Sequence, residues 1–406
     1  MIRMRAQNNK MWRFKVMRKP FPLTVDEKRI AYVSTYPPRE CGIANFTKDL
    51  TDAVDRLHEF RPSVVIAINE KGAIYKYDRR VRFQVERDSL DDYVQAVHYA
   101  NLSEVSLVNL QHEFGLFGGE SGEYINSFLD DLQKPVVTTL HTIVPNFGST
   151  ARTVLENIAH RSVSIVVMTR TALQLLKNCN IRRKKITVIP HGCPDVPFVP
   201  SEKPKTSLRL RNRIVLSTLG LINRGKGIQH AIRALNSLVK REPRILYLII
   251  GVTHPEVRKY EGERYRKGLM RLVDELQLGK HVRFYNRFLS KRELIRYLQA
   301  TDIYITPYVD RNQISSGTLV YALGTGKAII STAYLHAEEA LGNGRGLICK
   351  FRNPTSIAEC INQLLEDPEL RFSLERKAYA YSRNFTWPKV AEKYVELFNR
   401  LLKDQG

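Results

Sequence analysis

Short runs of apolar, mostly β-branched residues alternate with amphipathic segments along nearly the whole chain. This alternation is typical of parallel sheets whose strands are joined by helices. In the first half the runs predict one sheet, with strands at 30–34, 64–68, 105–110, 135–140, 164–168 and 186–189. The pattern then restarts and predicts a second sheet, with strands at 214–220, 246–251, 281–286, 303–306, 328–331 and 346–349. The chain is therefore predicted to be an α/β protein built on two parallel sheets.

A proline-containing stretch separates the two halves. Prolines recur from residue 190 to 204, and proline continues neither a helix nor a strand ladder. A chain of 406 residues also exceeds what one hydrophobic core usually supports. We therefore predict a basic extension at 1–25, a first domain at 26–200, a second at 201–385 and a C-terminal helix at 386–406 that packs back towards the first domain.

The charge balance predicts an affinity for anions. Lysine and arginine outnumber aspartate and glutamate by 64 to 41. The first twenty residues contain no acid, and their basic and apolar side chains fit either a solvated tail or a segment lying on an anionic membrane. Elsewhere the basic residues are spread through both halves without a recognition motif, which argues against nucleic-acid binding.

The sequence contains no long apolar run, no signal peptide and no cysteine pair with zinc-binding spacing. We expect a cytoplasmic protein, peripheral at most to the inner face of the membrane.

Candidate ligand contacts in the first half follow predicted strands, where parallel sheets usually bind ligands. Gly42 precedes a helix, so it fits either an anion-binding helix N-terminus or an ordinary turn. His112 and Glu113 are polar residues that bind either a ligand or the backbone, and no His or Cys cluster completes a metal site around them. His141 ends another strand and fits either a contact to a ligand hydroxyl or a structural role.

In the second half, Arg224 and Lys226 stand among glycines immediately before a helix. Cations next to free helix N-terminal amides form a phosphate site even without the P-loop spacing, which is absent here.

A second anion-type loop follows the strand at 303–306. Ser315, Ser316, Gly317 and Thr318 open a helix and offer hydroxyls and amides to a phosphate. Gln313 precedes them and can bind a neutral hydroxylated ring.

Taken in order, these loops resemble family 4 of the retaining glycosyltransferases over roughly residues 28–404. The resemblance implies a GT-B fold, with two Rossmann-like domains facing a cleft, the acceptor on the first domain and the donor on the second. It also implies that no metal or other cofactor is required. The expected reaction is transfer of mannose or glucose from a nucleotide-diphosphate sugar, GDP-mannose ranking first, to a saccharide or lipid-linked acceptor.

The resemblance also implies roles for individual residues. His141 matches a histidine that contacts the donor sugar, Lys226 a lysine that binds the diphosphate, and Gly42 a glycine near the acceptor and donor phosphate. With Gln313, the first two are the expected catalytic residues. We expect His112 and Glu113 to lie on the acceptor side.

The chain departs from the family pattern at three positions. The family usually has an arginine five positions before the lysine, where this chain has Leu221. It also has two glutamates eight positions apart, where this chain has Gln313 and Tyr321. Tyr321 would therefore lie on the nucleoside side, where a carboxylate normally binds the ribose. Arg224, Lys226 and the segment 315–318 still fit a phosphate cradle that stabilises the leaving group.

These departures leave two alternatives open. The SSGT run is similar to the phosphate loop of GT-B phosphorylases, which use sugar 1-phosphates. The second alternative is a relative that binds glycans or anionic membranes without catalysis.

Overall fold

The computed structural model describes residues 28–143, 148–177 and 185–404. The predicted basic extension at 1–25 lies outside these ranges. The strands are β1 (Arg29–Ser34), β2 (Arg61–Asn69), β3 (Val81–Glu86), β4 (Leu107–His112), β5 (Val136–Leu140), β6 (Ser164–Val167), β7 (Ile186–Val188), β8 (Ile214–Leu219), β9 (Ile245–Ile250), β10 (Val282–Tyr285), β11 (Ile303–Thr306), β12 (Ala328–Thr332) and β13 (Leu347–Cys349).

Helices connect most of the strands, although residues 70–80 join β2 to β3 without one. They are α1 (Gly42–Asp55), α2 (Leu90–Leu102), α3 (Ile125–Asp130), α4 (Ser149–Arg161), α5 (Arg170–Lys177), α6 (Glu202–Ser207), α7 (Ile228–Leu238), α8 (Pro255–Glu261), α9 (Arg264–Glu275), α10 (Lys291–Ala300), α11 (Gly317–Gly324), α12 (Leu335–Leu341), α13 (Pro354–Glu366), α14 (Pro368–Ser382) and α15 (Trp387–Lys403). Within the described ranges, none of them combines the length and apolar character needed to cross a membrane.

Two parallel sheets confirm the predicted fold class. The first has seven strands in the order β3-β2-β1-β4-β5-β6-β7, and the second has six in the order β10-β9-β8-β11-β12-β13. The strand order reverses between β1 and β4 in one sheet and between β8 and β11 in the other. Doubly wound sheets bind ligands at the carboxyl ends of the strands beside such a reversal. The loops after these four strands are therefore the expected ligand site.

One strand of the first sheet was missed in the sequence. β3 lies at the edge of the sheet. Its side chains alternate between exposed and half-buried positions, and Val85 is its single buried residue. The sequence prediction relied on continuous apolar runs, which mark strands buried on both faces. An edge strand with polar residues at every second position lacks that signal.

Helix α15 returns from the second domain to the first. The Tyr394 hydroxyl lies 3.0 Å from the Thr139 hydroxyl on β5, and the rings of Phe398 and Phe60 are 6.3 Å apart. The helix is amphipathic, and its apolar side chains pack against the core shared by the two domains. The second domain is thus anchored to the first by its own C-terminal helix.

A further contact joins the domains at the start of α5. Glu339 on α12 accepts hydrogen bonds from the backbone amides of Arg170 and Thr171, each at 2.9 Å. A carboxylate at a helix N-terminus satisfies free amides and complements the helix dipole. This contact fixes α12, and with it the loop before α11, against the first domain.

Candidate active site

Lys226, Tyr308 and Thr318 form one polar cluster beside the strand-order reversal of the second sheet. The Lys226 ammonium donates a hydrogen bond to the Tyr308 hydroxyl and lies 4.3 Å from the centre of that ring. The same hydroxyl is 3.2 Å from the Thr318 hydroxyl. A methyl group on Gly220 would stand 3.3 Å from Thr318 and 3.4 Å from the Lys226 nitrogen. The glycine therefore leaves room for the cluster.

Tyr308 was not predicted from the sequence. Its ring is buried and stacks on Tyr334, with the ring centres 5.0 Å apart. Burial by itself raises the pKa of the Tyr308 hydroxyl, but the charge of Lys226 and the hydrogen bonds with Lys226, Thr318 and Ser316 together lower it. The result is a polarised phenol next to a cation, an arrangement suited to binding a phosphate oxygen. A tyrosine two residues after the end of β11 was the available signal.

The N-terminus of α11 is partly occupied by protein groups. The Ser316 side chain caps the helix by accepting from the Leu319 amide, and the Ser316 amide donates to Nδ1 of His336 at 2.8 Å. The predicted use of the Ser316 amide as a phosphate donor therefore needs correction, because His336 already accepts its proton. The amides left for an anion are those of Gly317 and Thr318, which have no acceptor within the helix.

The loop before α11 folds on itself and contacts the first domain. The Gln313 amide nitrogen donates one of its two protons to the Ser315 carbonyl at 2.6 Å, so its second proton and its carbonyl oxygen remain for a ligand. The Ser315 hydroxyl lies 3.4 Å from the sulfur of Met168, at the end of β6. The predicted sugar-binding and phosphate-binding residues of this loop thus lie against the other domain.

Arg224 contributes less to the cluster than its position in the sequence predicts. Its side chain is 62% exposed and forms an ion pair with Glu261, with 3.1 Å between the charged atoms. The guanidinium also lies over the Tyr265 ring, 5.6 Å from its centre. Lys226 is therefore the cation of this loop that lies next to Tyr308 and Thr318.

Tyr321 occupies the interface between the domains. Its ring is buried, and its hydroxyl donates a hydrogen bond to the carboxylate of Asp49 on α1. The Trp387 indole lies 3.3 Å from the same oxygen and donates to it. Tyr321 was predicted to lie beside a nucleoside, but its hydroxyl is hydrogen-bonded to the first domain in this structure.

In the first domain, His141 is held at the end of β5. Its Nε2 lies 2.8 Å from the Gln111 carbonyl oxygen, and its ring meets the edge of Phe46 at 4.8 Å between ring centres. Burial lowers the pKa of His141 to about 3, with smaller contributions from His191 and His112. The imidazole is therefore neutral at physiological pH, where it can exchange hydrogen bonds with hydroxyl groups.

Gly42 is the first residue of α1 and is exposed. No side chain caps this helix, and a methyl group on Gly42 would meet no atom within 4 Å. Packing within the protein therefore does not explain the glycine. An uncapped N-terminus with open space above it is suited to the approach of an anion.

His112 and Glu113 differ in their access to a ligand. His112 is fully buried between the rings of Phe114 and Phe117, and burial lowers its pKa to about 3. This burial places His112 beneath the surface rather than on it, which corrects its predicted contact with an acceptor. Glu113 is half-buried and accepts a hydrogen bond from Thr142, and burial raises its pKa.

His191 was missed in the sequence. It lies just after β7, its Nδ1 is 2.8 Å from the Gly192 carbonyl, and its ring contacts Phe46 at 5.0 Å between ring centres. A methyl group on Gly317 would lie 2.9 Å from its Nε2, so His191 touches the start of α11. A histidine at the carboxyl end of a strand was the signal that could have identified it.

Among the residues that the structure describes, no group of His, Cys, Asp and Glu could hold a metal ion.

Comparison with known proteins places this site in a wider context. Residues 200–381 match the family model for glycosyl transferases group 1. The chain is 24% identical to an uncharacterized glycosyltransferase of Methanocaldococcus jannaschii over 258 residues, which are 62% of each chain. It is 24% identical to the D-inositol 3-phosphate glycosyltransferase of Corynebacterium urealyticum over 226 residues, 54% of this chain and 52% of that relative. The matched regions thus span between about half and just under two thirds of these relatives.

Solved structures share the overall fold. Sucrose-phosphate synthase from Thermosynechococcus elongatus superposes with a TM-score of 0.76 at 17% identity, over 93% of this chain and 100% of that one. HepE of Anabaena, solved with UDP and glucose, superposes with a TM-score of 0.73 at 15% identity, over 92% of this chain and 100% of that one. At these identities the likeness shows the fold, which is the GT-B arrangement of two Rossmann-like domains.

Proposed function

We propose, on the premise that residues 200–381 form a group 1 glycosyl transferase domain, that this chain is a glycosyltransferase with a nucleotide-diphosphate sugar as donor. The observation that carries the proposal is the cluster of Lys226, Tyr308 and Thr318 at the N-terminus of α11, where a cation, two hydroxyls and free amides converge. These groups match the chemistry of a diphosphate. The family expectation ranks GDP-mannose first, whereas the UDP bound to HepE favours testing UDP first.

The proposed reaction retains the configuration at the sugar carbon and uses no metal. As the bond between that carbon and the phosphate oxygen breaks, negative charge develops on the diphosphate. Lys226, the Tyr308 hydroxyl and the amides of Gly317 and Thr318 stabilise that charge because they are fixed before the reaction. The acceptor oxygen bonds to the carbon from the same face, and its proton passes to the leaving phosphate oxygen.

Residues of both domains hold the sugar in this proposal. His141 and the free carbonyl oxygen of Gln313 bind its hydroxyls. Glu113 lies towards the acceptor, which is a saccharide or a lipid-linked glycan. Because the loop before α11 contacts Met168, a sugar bound beside this loop would lie near both domains.

Calorimetric titration with UDP, GDP, ADP and inorganic phosphate tests the proposal. We expect micromolar binding of one nucleoside diphosphate and loss of that binding in Lys226→Ala. Lys240→Ala, which removes an exposed lysine at the end of α7, is the matched control and should bind normally. Turnover of the matching nucleotide sugar should continue in the presence of a chelator. Indifference to every nucleotide would contradict the proposal.

A second candidate, a GT-B phosphorylase, is favoured by one observation. The residue at the position of the family's ribose-binding glutamate is Tyr321, and Asp49 already engages its hydroxyl. A phosphorylase needs no ribose contact, because its donor is a sugar 1-phosphate. Release of inorganic phosphate from a sugar 1-phosphate in the presence of an acceptor would support this candidate. Saccharide binding without turnover of either donor would instead support the non-catalytic alternative.

A further inference from the structure

A chain of buried amide side chains ends on His141. The Asn109 amide nitrogen donates to the Val137 carbonyl at 2.9 Å, and a carbonyl can only accept. Asn109 therefore turns its own carbonyl oxygen to Gln111, whose amide nitrogen lies 2.5 Å away. Gln111 in turn directs its carbonyl oxygen at Nε2 of His141, at 2.8 Å. Each orientation follows from the one before it.

The order of donors and acceptors determines where the His141 proton lies. A carbonyl oxygen has no proton to give, so Nε2 of His141 must be the donor. A neutral imidazole carries one ring proton, and burial keeps His141 neutral by lowering its pKa to about 3. Nδ1 is therefore left as an acceptor, and it has no hydrogen-bond partner among the residues that the structure describes.

We propose that Gln111 is a positioning residue which, with Asn109, holds His141 in the Nε2-protonated tautomer so that Nδ1 accepts a hydrogen bond from a donor-sugar hydroxyl. The assignment to a sugar hydroxyl rests on the proposed function, whereas the tautomer does not. An acceptor-only nitrogen in a buried site favours a ligand with a hydroxyl at that point. Deoxy and fluoro donors at that position cannot donate and should react at least tenfold more slowly.

Nitrogen NMR on protein labelled at histidine tests the tautomer directly. We expect the His141 signals, assigned by their loss in His141→Gln, to show a protonated Nε2 and an unprotonated Nδ1 at neutral pH. In Gln111→Met the preference should be lost. Gln84→Met is the matched control, because it breaks a glutamine–asparagine hydrogen bond of the same kind, from Asn69 at 2.9 Å, on the edge strand β3. A proton on Nδ1 in the unmutated protein would overturn the proposal.

A second variant covers the case in which Gln111→Met does not fold. Gln111→Glu keeps an acceptor opposite Nε2, so Nε2 should stay protonated, but its second carboxylate oxygen faces the Asn109 carbonyl oxygen and should lower the stability. With a reactive donor, Gln111→Met should lower kcat/KM about tenfold and Gln111→Glu much less, while the acceptor KM stays unchanged. If Gln111 had only a structural role, Gln111→Met would lower the stability without changing the tautomer of His141. If no donor reacts, the proposed function fails while the NMR result still decides the tautomer.

Discussion

The Tyr321 hydroxyl on α11 donates a hydrogen bond to the Asp49 carboxylate on α1, which joins a helix of each domain. The other oxygen of that carboxylate forms an ion pair with Lys291 at 2.6 Å. Asp49 is buried, and a buried carboxylate is stable only when such partners replace water. The relative position of the domains therefore depends on two groups of the second domain that bind one charge of the first.

Tyr321→Phe should destabilise the protein because it leaves the Asp49 carboxylate with Lys291 as its remaining partner at that site. Losing a hydrogen bond to a buried charge costs about 1.5–3 kcal/mol of unfolding free energy. Urea unfolding measures this loss. Tyr260→Phe, at a position 75% exposed, is the control and should change nothing.

Tyr321→Glu extends the same test. It restores the carboxylate that the family pattern has at this position but sets it against Asp49, so it should destabilise more than Tyr321→Phe. Equal stability of the unmutated protein and both variants would show that the contact contributes nothing.

Tyr308→Phe removes the hydroxyl from the cluster of Lys226, Tyr308 and Thr318 while it keeps the buried ring. The ring should keep its stacking on Tyr334, but Lys226 and Thr318 lose the hydroxyl between them. We expect about tenfold weaker binding of the nucleoside diphosphate, since one hydrogen bond to a charged group is worth roughly 1.5 kcal/mol or more. Calorimetry gives the affinity, and thermal unfolding gives the loss of stability that removal of a buried hydroxyl causes.

Tyr247→Phe is the matched control for this prediction. Its hydroxyl is equally buried and bonds to Thr218 at 2.7 Å within the same sheet. This variant should lose stability and keep its affinity for the diphosphate. Unchanged diphosphate affinity in Tyr308→Phe would remove the Tyr308 hydroxyl from the proposed site.

The loop before α11 should lose stability as the pH falls. His336 accepts from the Ser316 amide, and burial lowers its pKa to about 4, with His191 lowering it further and Glu339 opposing. An unfolded histidine has a pKa of about 6.5, so between these values the unfolded chain binds more protons. The stabilising contribution is complete above about pH 6.5 and is lost as the pH falls towards 4.

Urea unfolding at several pH values between about 8 and 5 should therefore show a falling midpoint. His336→Gln cannot take up the proton, so the urea midpoint of this variant should change less with pH. His191, His141 and His112 are also buried with lowered pKa values, so some dependence should remain. A midpoint that does not move with pH in the unmutated protein would contradict the assignment.

All strands of the two sheets except β3 followed from the sequence, because most of them are buried on both faces. β9, for example, consists of buried apolar residues only and gives an unmistakable run. The loops predicted after the strands beside each order reversal do follow those strands in the structure, and their ligand-binding role stays a prediction. Lys226 and Thr318, predicted from separate loops, do lie together around Tyr308.

The contacts between domains could not be read from the sequence. Asp49 and Tyr321 are separated by 272 positions, and neither lies in a pattern that points to the other. The same holds for His336, whose position decides whether the Ser316 amide is free. Local periodicity reports which face of a helix is buried, but the partner on that face depends on tertiary packing.

Gly42→Ala offers the sharpest separation of stability from binding. The added methyl group meets no protein atom within 4 Å, and Gly42 starts a helix in an ordinary backbone conformation. Replacing such a glycine usually raises stability by about 0.4–1 kcal/mol through the unfolded state. If a ligand approaches the N-terminus of α1, the methyl group should nevertheless obstruct it and weaken binding or turnover at least tenfold.

Parallel thermal unfolding and kinetics with the best donor decide this prediction. Gly268→Ala on α9 is the matched control, because it also adds a methyl group to a helical glycine with no atom nearer than 4.0 Å. It should keep full activity. Full activity of Gly42→Ala as well would show that no ligand passes close to the start of α1, and the donor phosphate would then be held by the second domain alone.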